Sequence, residues 1–576
     1  MKFEYLPNEI LLDIFEYFHL RDLFQTFHNL NFRLNQLLYE SFRSYSLDLR
    51  SISRYDFDII CQQHLPIILH KITSIHLADN DETPNLPQRF LSQSISVDQF
   101  THLKSLSIHS IQSIDIIHQI IKQSQQVTHL KIIKCFCEYK EIQLINQIWS
   151  LPKLTFCHLD NLISKGIYFS ELLTPSSTIK YLSIKNIICD FRSLSYVFQK
   201  TPSLQHLSTT IVCTEKFEKI PPPTNPLLTK LSLSYDGSIP SLMNLFQHMP
   251  LLRSLTISTS YLLLDGDEWQ AILTDCLPQL KYFHFKMSFQ FPQNYDTNDA
   301  ADELLATYQS EFWIKKHQWH VQCDWNASDP FYGAILYTLP YMFHDYHYVN
   351  DSCSKSTLPN KTTCQTHIHV KNLQCEHNIV NHFIYLSTKF TNLSHLDLIL
   401  PFNNEFLRNI STFTHLKSLD VTLLSSRDAY QQLQCLLNHT PHLYLLRFSH
   451  LSDMNEALFS LSNPSIRRLD FLNKQSMIYN WYFNTDECQA LTNSILGRQC
   501  QTLIIDIQAR NDVLDLVNNL TNLRSLIFQC KDDKGKQKLL STTDDELIQW
   551  FHEHLPSTCT ISRDAHISSI IQMWIR

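Results

Sequence analysis

One short pattern recurs along this 576-residue chain and limits what the chain can fold into. The pattern is L-x-x-L-x-[LIVF], found in FTHLKSLSI (100–108), SSTIKYLSI (176–184), FTHLKSLDV (413–421) and LTNLRSLIF (520–528). Its first apolar residue recurs at intervals of 27, 24 and 25 residues at Leu103, Leu130, Leu154 and Ile179. Such a period indicates a repeat architecture, because one unit cannot bury its apolar face alone whereas a stack of units can.

The segments between these strand-like runs have helical periodicity. In residues 113–126, one helical face collects Ile116, Ile117, Ile120 and Ile121, and residues 239–249 and 429–439 show the same period. An apolar period of 2 in the short run and 3.6 in the long one predicts one strand and one helix per repeat. The chain is therefore expected to be an α/β protein.

The number and spacing of these units resemble the leucine-rich-repeat family across roughly residues 65–576. The resemblance implies a solenoid with parallel strands on the concave face and helices on the convex face. A first run of repeats extends from Ile72 to Leu280, and a second extends from Leu393 to Leu523.

The N-terminus, MKFEYLPNEILLDIFEYF, is apolar before any repeat has begun. Leu6-Pro7 precedes a predicted helix with a proline near its first turn, and a second helix is expected from Leu20 through Phe27. A third is expected in 31–42. These helices have two interpretations: a cap over the first repeat, or a surface kept for a partner.

Three short helices that open on LPxEIL and carry Asp22-Leu23 resemble an F-box, although the third helix lacks the tryptophan that the family often has. The resemblance implies docking on a Skp-type adaptor, itself held by the cullin scaffold of a ubiquitin ligase. The implied adaptor-binding residues are Leu6, Pro7, Ile10, Leu11, Ile14, Phe15, Leu20 and Leu23.

In leucine-rich repeats, the strand residues between the apolar positions lie on the concave face. Here those residues are mostly hydrogen-bonding and aromatic, which suits recognition of a protein surface. The alternative is an ordinary solvated strand face. The predicted target-binding residues are Ser105, Ser107, His109, Phe156, His158, Tyr181, Lys185, Lys230, Tyr282, His284, His395, Asp397, Asp420, Arg447 and Arg468.

Residues 287–390 interrupt the repeat rhythm with a segment rich in aromatic residues. Val321, Cys323 and Trp325 alternate as in a strand, and Ala334–Tyr337 is the predicted partner strand. The aromatic rings either form the core of one enlarged repeat or build a recognition lid over the concave face.

A cluster of cysteines and histidines follows, but its spacing matches no zinc motif, so no metal site or cofactor is expected. The cluster comprises Cys353, Cys364, His367, His369, Cys375 and His377.

Several function classes are disfavoured by composition. With only 6 glycines, the chain has neither GxGxxG nor GxxxxGK[ST], and GxSxG and HExxH are also absent. A net charge of −8 argues against nucleic acid as the partner. Many of the 16 cysteines lie in apolar runs, no secretory signal or membrane span is visible, and a cytoplasmic or nuclear location is expected.

These observations predict a non-catalytic protein with four segments. Residues 1–45 form an F-box-like helical domain, 46–286 the first repeat run, 287–390 the insertion, and 391–576 the second run with a C-terminal cap. The expected function is substrate recognition within an SCF-type cullin–RING ubiquitin ligase. The alternative is a ligase-independent interaction scaffold in which the N-terminal helices only cap the repeats.

Overall fold

Parallel strands recur at the places where the repeat pattern predicts them. The structure is a computed structural model, and contact density divides it into unit 1 (Met1–Ser254 and Cys276–Gln279) and unit 2 (Leu255–Asp275 and Leu280–Arg576). The described residues are 5–42, 44–93, 95–135, 141–160, 169, 172–212, 224–225, 227–260, 262–291, 296–326, 333–348, 352–359, 366–375, 390–401, 413–424, 427–451, 456–472, 481–533, 545–557, 559–564 and 567–575.

Unit 1 begins with the three predicted helices, α1 (Asn8–Phe15), α2 (Leu20–Phe27) and α3 (Phe32–Gln36), the last continuing as a π-helical turn at Leu37–Ser41. Pro7 precedes α1, and the Asn31 side chain caps α3 by accepting from the backbone N–H of Leu34 at 2.8 Å. Predicted helix positions and observed helices therefore agree here.

Eight strands of unit 1 pair in chain order, each parallel to the one before it. They are β1 (Tyr45–Asp48), β2 (Ile72–Ala78), β3 (Ser105–His109), β4 (His129–Ile133), β5 (Phe156–Asp160), β6 (Tyr181–Cys189), β7 (His206–Val212) and β8 (Lys230–Asp236). The α/β architecture implied by the leucine-rich-repeat resemblance, with parallel strands and intervening helices, is thus present. The array begins at β1, earlier than the first predicted repeat.

Most neighbouring strands of unit 1 are connected through helices. The helices are α4 (Arg54–Ile59), α5 (Leu65–Ile68), α6 (Leu86–Ser92), α7 (Ile114–Lys122), α8 (Glu141–Trp149), α9 (Phe191–Lys200) and α10 (Ile239–Gln247). The predicted stripe in α7 is buried through Ile117, Ile120 and Ile121.

The strand register carries the apolar repeat positions across unit 1 as one row. Leu106 of β3 aligns with Leu130 of β4, which aligns with Cys157 of β5 and then with Leu182 of β6. All four side chains are buried. Because each side chain is covered by the side chain at the equivalent position of the next repeat, the repeats share one apolar interior.

A left-handed residue directly follows β3 and β4 and interrupts β6 in unit 1. Ser110, Lys134 and Asn186 have φ values of 56°, 54° and 54°. Each lies four residues after the aligned leucine, and the residue that follows it is buried: Ile111, Cys135 and Ile187. This backbone turn, rather than a ladder of asparagine side chains, directs the chain away from the strand at these positions.

Unit 2 contains two groups of strands. The first has the order β9–β10–β12–β11–β14, with antiparallel pairing from β10 onward. Its members are β9 (Ser254–Ser260), β10 (Tyr282–Phe289), β11 (His320–Asn326), β12 (Ala334–Leu339) and β14 (Ser352–Ser356). The predicted pairing of the Val321–Trp325 run with Ala334–Tyr337 is confirmed, since Cys323 aligns with Leu336.

The second group runs parallel from β13 to β21, and antiparallel β23 and β22 close its end. Its members are β13 (Asp345–Tyr348), β15 (Asn372–Cys375), β16 (His395–Leu400), β17 (Ser418–Leu423), β18 (Leu445–Leu451), β19 (Arg468–Asp470), β20 (Thr502–Ile507), β21 (Ser525–Cys530), β22 (Thr560–Arg563) and β23 (Ile570–Trp574). The second array thus begins inside the predicted insertion, because β13 and β15 pair like repeat strands.

Among its described residues, unit 2 has the helices α11 (Gly266–Cys276), α12 (Thr297–Thr307), α13 (Arg427–Asn438), α14 (Glu456–Phe459), α15 (Thr485–Asn493), α16 (Ile495–Gln499), α17 (Arg510–Asn519) and α18 (Glu546–His554). A π-helical segment, Phe312–His317, precedes β11.

The aromatic rings of the insertion are mainly interior. Buried rings include Trp313, Trp325, Tyr337, Tyr341 and Tyr346, so the core interpretation is confirmed for them. Their interior also contains a carboxylate, Asp324, which accepts hydrogen bonds from the hydroxyls of Tyr337 at 2.5 Å and Tyr346 at 2.6 Å. Further donors to Asp324 are Ser354 Oγ at 2.6 Å and Gln322 Nε2 at 2.9 Å. Four donors replace the water that this buried charge has lost.

Candidate functional site

The N-terminal helices bury one set of apolar side chains among themselves. Leu11, Phe15, Leu20 and Leu23 are buried, and the Phe15 ring lies 4.9 Å from Phe27, centroid to centroid. The adaptor contact predicted for these four is corrected to an interior role, because a buried side chain offers no surface to a partner.

A second set of apolar side chains on the same helices faces solvent. Tyr17 is 89% exposed, Phe32 83% and Tyr5 73%, and Ile10 and Leu30 are also exposed. Of the other predicted adaptor contacts, Pro7 is exposed, whereas Leu6 and Ile14 are half-buried. Exposed apolar side chains this closely grouped in sequence are characteristic of interaction sites.

Arg33 fixes the geometry of this exposed surface. Its Nη2 donates to the Leu6 carbonyl at 2.6 Å, and its Nε donates to Asn8 Oδ1 at 2.8 Å. The start of α3 is therefore tied to the start of α1. We call the exposed Tyr5, Pro7, Ile10, Leu30 and Phe32 the apolar N-terminal surface.

The same helices also cover the first strand of the array. The Tyr45 ring of β1 lies 4.8 Å from Phe42 and 5.9 Å from Phe24, and its hydroxyl donates to the Leu38 carbonyl. The capping role is thus carried by side chains that differ from those of the apolar N-terminal surface.

A polar cleft of about 550 Å³ lies between α2 and the carboxyl ends of the first strands. Its lining includes His19, Arg21, Arg50, His109 and Lys134. Arg50 is held by Asp48 through Nε at 2.9 Å and Nη2 at 2.6 Å. This cleft was not foreseen from the sequence, because its residues come from five separate segments.

Aromatic and imidazole rings form a row across the unit 1 strand face. His129, Phe156, Tyr181 and His206 are aligned by register, with ring centroids 5.7, 6.3 and 4.3 Å apart in that order. Lys131 Nζ lies 5.9 Å from the centre of the Phe156 ring. The register thus places the predicted residues Phe156 and Tyr181 side by side.

Histidines on this face are held towards their neutral form. Burial lowers the pKa of His109 to about 4, and the positive charge of Arg50 adds to the effect. Burial is also the main reason why the pKa values of His76 and His158 are lowered. These imidazoles therefore act as neutral hydrogen-bonding groups near pH 7.

The remaining predicted residues of unit 1 differ in exposure. Lys185 and Lys230 are exposed, and Ser105 is half-buried. Ser107 is buried and its hydroxyl hydrogen-bonds to His109 Nε2 at 2.7 Å, so its predicted target contact is corrected to support of that histidine.

The predicted residues of unit 2 fall on two strand groups. Tyr282 is exposed and His284 half-buried on β10. On the parallel strands, His395, Asp397, Arg447 and Arg468 are half-buried. Asp420 is buried, so direct target contact is corrected to pairing with Arg447, whose Nη1 donates to Asp420 Oδ2 at 2.8 Å.

The cluster of cysteines and histidines after the insertion strands lies partly within the described residues. Cys364 and His377 lie outside the described residues, and His367 is buried with its Nε2 3.2 Å from the Tyr337 hydroxyl. Burial lowers the pKa of His367 to about 4. Within the described ranges, no three His, Cys, Asp or Glu side chains are grouped so as to hold a metal ion. Among the helices of those ranges, none combines the length and apolar character that a membrane span needs.

Comparison with known proteins adds little. No protein-family model matches the chain, and no curated protein matches it. One similar solved structure is that titled "Crystal structure of TLR13-ssRNA13 complex", with 12% identity, a TM-score of 0.28 and 86% of this chain covered. This chain spans 64% of that chain. So distant a similarity carries no argument about function, which therefore has to be argued from the surfaces described above.

Proposed function

We propose that this chain is a non-catalytic substrate receptor of a cullin–RING ubiquitin ligase. Its N-terminal helices would bind a Skp-type adaptor, and its strand faces would bind a target protein. The observation that supports adaptor docking is the apolar N-terminal surface, which stays exposed although the same helices have an apolar interior of their own.

Helices that only covered the first strand would not need an exposed apolar surface. Phe24, Phe42 and Leu38 contact Tyr45 of β1, whereas Phe32 and Ile10 stay exposed. An exposed apolar side chain gains roughly 1.5–3 kcal/mol when it is buried, so a partner that covers several of them gains considerable affinity. The resemblance of LPxEIL to an F-box gives that partner as a Skp-type adaptor.

The strand faces are suited to the target. They combine rings, hydrogen-bonding groups and paired charges on rigid parallel strands, which is the composition of protein-recognition surfaces. The receptor would act by proximity, raising the effective concentration of the target near a conjugating enzyme that the ligase carries elsewhere. No bond chemistry by this chain is needed.

Adaptor docking is tested with purified Skp-type adaptor and two variants of the full chain. We expect Ile10→Asp combined with Phe32→Asp to weaken adaptor binding at least 30-fold, because two exposed apolar contacts are replaced by charges. The control is Ile67→Asp, since Ile67 is similarly exposed but lies on α5, outside the N-terminal helices. It should bind within twofold of the wild type.

Two results would count against the proposal. If the double variant binds as tightly as Ile67→Asp, the apolar N-terminal surface is not the docking site. If the wild-type chain binds no Skp-type adaptor, the ligase role is wrong and the ligase-independent scaffold is the better account.

A further inference from the structure

Four charged residues form a continuous row across the unit 2 strand face. Register aligns Asp397 of β16 with Asp420 of β17, Asp420 with Arg447 of β18, and Arg447 with Asp470 of β19. Side chains aligned on adjacent strands lie about 5 Å apart. The row therefore contains three carboxylates and a single cation.

The single cation is fully committed to two of the carboxylates. Arg447 Nη1 donates to Asp420 Oδ2 and its Nε donates to Asp470 Oδ2, each at 2.8 Å. The side chain of Asp470 has no exposed surface, so its partner cannot be exchanged for water. Arg447 thus leaves Asp397, at the end of the row, without a cation of its own.

Asp420 is also only partly satisfied. It is 8% exposed, and its Oδ1 is buried with no hydrogen-bond partner among the described residues. Because Arg447 is shared with Asp470 and Oδ1 has no donor, part of the negative charge of Asp420 stays unbalanced. That charge lies directly beside Asp397.

Asp397 is the accessible member of the pair. Burial, followed by the charge of Asp420, raises the pKa of its carboxyl above the usual range. His395, Arg447 and His347 act in the opposite direction without cancelling this shift. A positive charge placed against Asp397 would relieve the repulsion between the two carboxylates.

We propose that Asp397, backed by Asp420, is the contact point for a basic side chain, arginine or lysine, of a protein bound to the unit 2 strand face. The inference rests on the proposed role of this face in target binding. A guanidinium or ammonium group would donate to the Asp397 carboxylate, and the buried Asp420 would add attraction without direct contact.

The probe is a fluorescein-labelled tetra-arginine peptide, titrated into the full chain and followed by fluorescence anisotropy. A tetracitrulline peptide of the same shape but without charge is the comparison. We expect the wild type to prefer tetra-arginine, and Asp397→Asn to weaken tetra-arginine binding about tenfold. Asp515→Asn, an equal change of charge on an exposed site of α17, should bind within twofold of the wild type.

The variant should remain folded. Asp397→Asn removes a repelled carboxylate, so its melting temperature should equal or exceed that of the wild type, which separates lost binding from lost structure. Equal affinities of Asp397→Asn and Asp515→Asn would overturn the inference, and so would equal affinities of the wild type for the two peptides. Because adaptor binding is measured separately, a chain that binds adaptor but shows no Asp397-dependent arginine binding contradicts this inference alone.

Discussion

The strand faces of the two units are built on one plan but carry different chemistry. In unit 1, the positions that follow the aligned interior residues hold Ser107, Lys131, His158 and Ser183. In unit 2, the positions that follow the aligned interior leucines hold Asp397, Asp420, Arg447 and Asp470. The interior positions are apolar in both units, whereas the positions beside them differ in chemistry, because a repeat fold constrains the interior and leaves the outer residues free to differ.

The two faces also satisfy their polar groups differently. Unit 1 keeps its imidazoles neutral by burial, as for His109 and His76. Unit 2 retains charge and pairs two of its three aligned carboxylates with one shared arginine. The carboxylates of unit 2 should attract basic partners with an affinity that falls as salt rises.

The largest effect on stability is expected from removing the carboxylate that is buried in the interior of unit 2. Asp324→Ala would leave the hydroxyls of Tyr337, Tyr346 and Ser354 without their shared acceptor. We expect a loss of at least about 3 kcal/mol in the free energy of unfolding, measured by urea denaturation. The control Asp302→Ala breaks only an ion pair with Lys355 at the surface and should cost less than about 0.5 kcal/mol. Equal losses of unfolding free energy in the two variants would show that the buried Asp324 stabilises the fold no more than a surface carboxylate does.

Arg447→Met tests the charge pairing of the unit 2 face. It leaves the fully buried Asp470 and the buried Asp420 without their cation, and we expect a loss of about 3 kcal/mol in unfolding free energy. Arg498→Met, at an exposed helix position, should cost less than about 0.5 kcal/mol. If urea denaturation finds the two variants alike, the charged row is not a structural network and the contrast with unit 1 loses its basis.

His109→Asn tests the neutral-histidine character of unit 1. The folded-state pKa of His109 is lowered to about 4, against about 6.5 in an unfolded chain. Between those pH values only the unfolded state takes up the proton, so the wild type loses stability as pH falls from about 6.5 to 4. Over this pH range the variant should lose about 1–2 kcal/mol less unfolding free energy than the wild type, as measured by thermal melts. His439→Asn is the control, and a pH slope unchanged in both variants would contradict the account.

Tyr181→Ser should have the smallest effect. Its ring contacts Phe156 and His206 but Tyr181 is still 39% exposed, so we expect a cost of about 0.5–1 kcal/mol. Tyr282→Ser on β10 is the matched variant, because Tyr282 makes no ring contact with any described residue and should cost less. Denaturation midpoints that are equal for the two would show that the ring row adds no stability to unit 1.

The sequence was sufficient for the array because the array depends on local periodicity. Leucines at a fixed interval, followed by helical stripes such as that of α7, led directly to parallel strands and helices. The strands β1, β13 and β15 were missed because they are identified by their pairing with neighbouring strands rather than by a leucine pattern of their own.

Burial within the candidate site was harder to foresee. Leu11 and Ile10 are adjacent in sequence and equally apolar, yet only Leu11 enters the helical interior. The exposed Tyr17 and Leu30 lie outside the predicted stripe and could have been noticed for that reason. The charged row, by contrast, depends on register between strands 20 to 30 residues apart, which composition does not reveal.

The most direct test of the account is hydrogen–deuterium exchange of the full chain, with and without saturating Skp-type adaptor. The account predicts slower exchange in residues 5–42 and unchanged exchange in β16 to β18, since the proposed docking surface and the proposed target-binding surface consist of different residues. Unchanged exchange in residues 5–42, or protection confined to the strands, would contradict it.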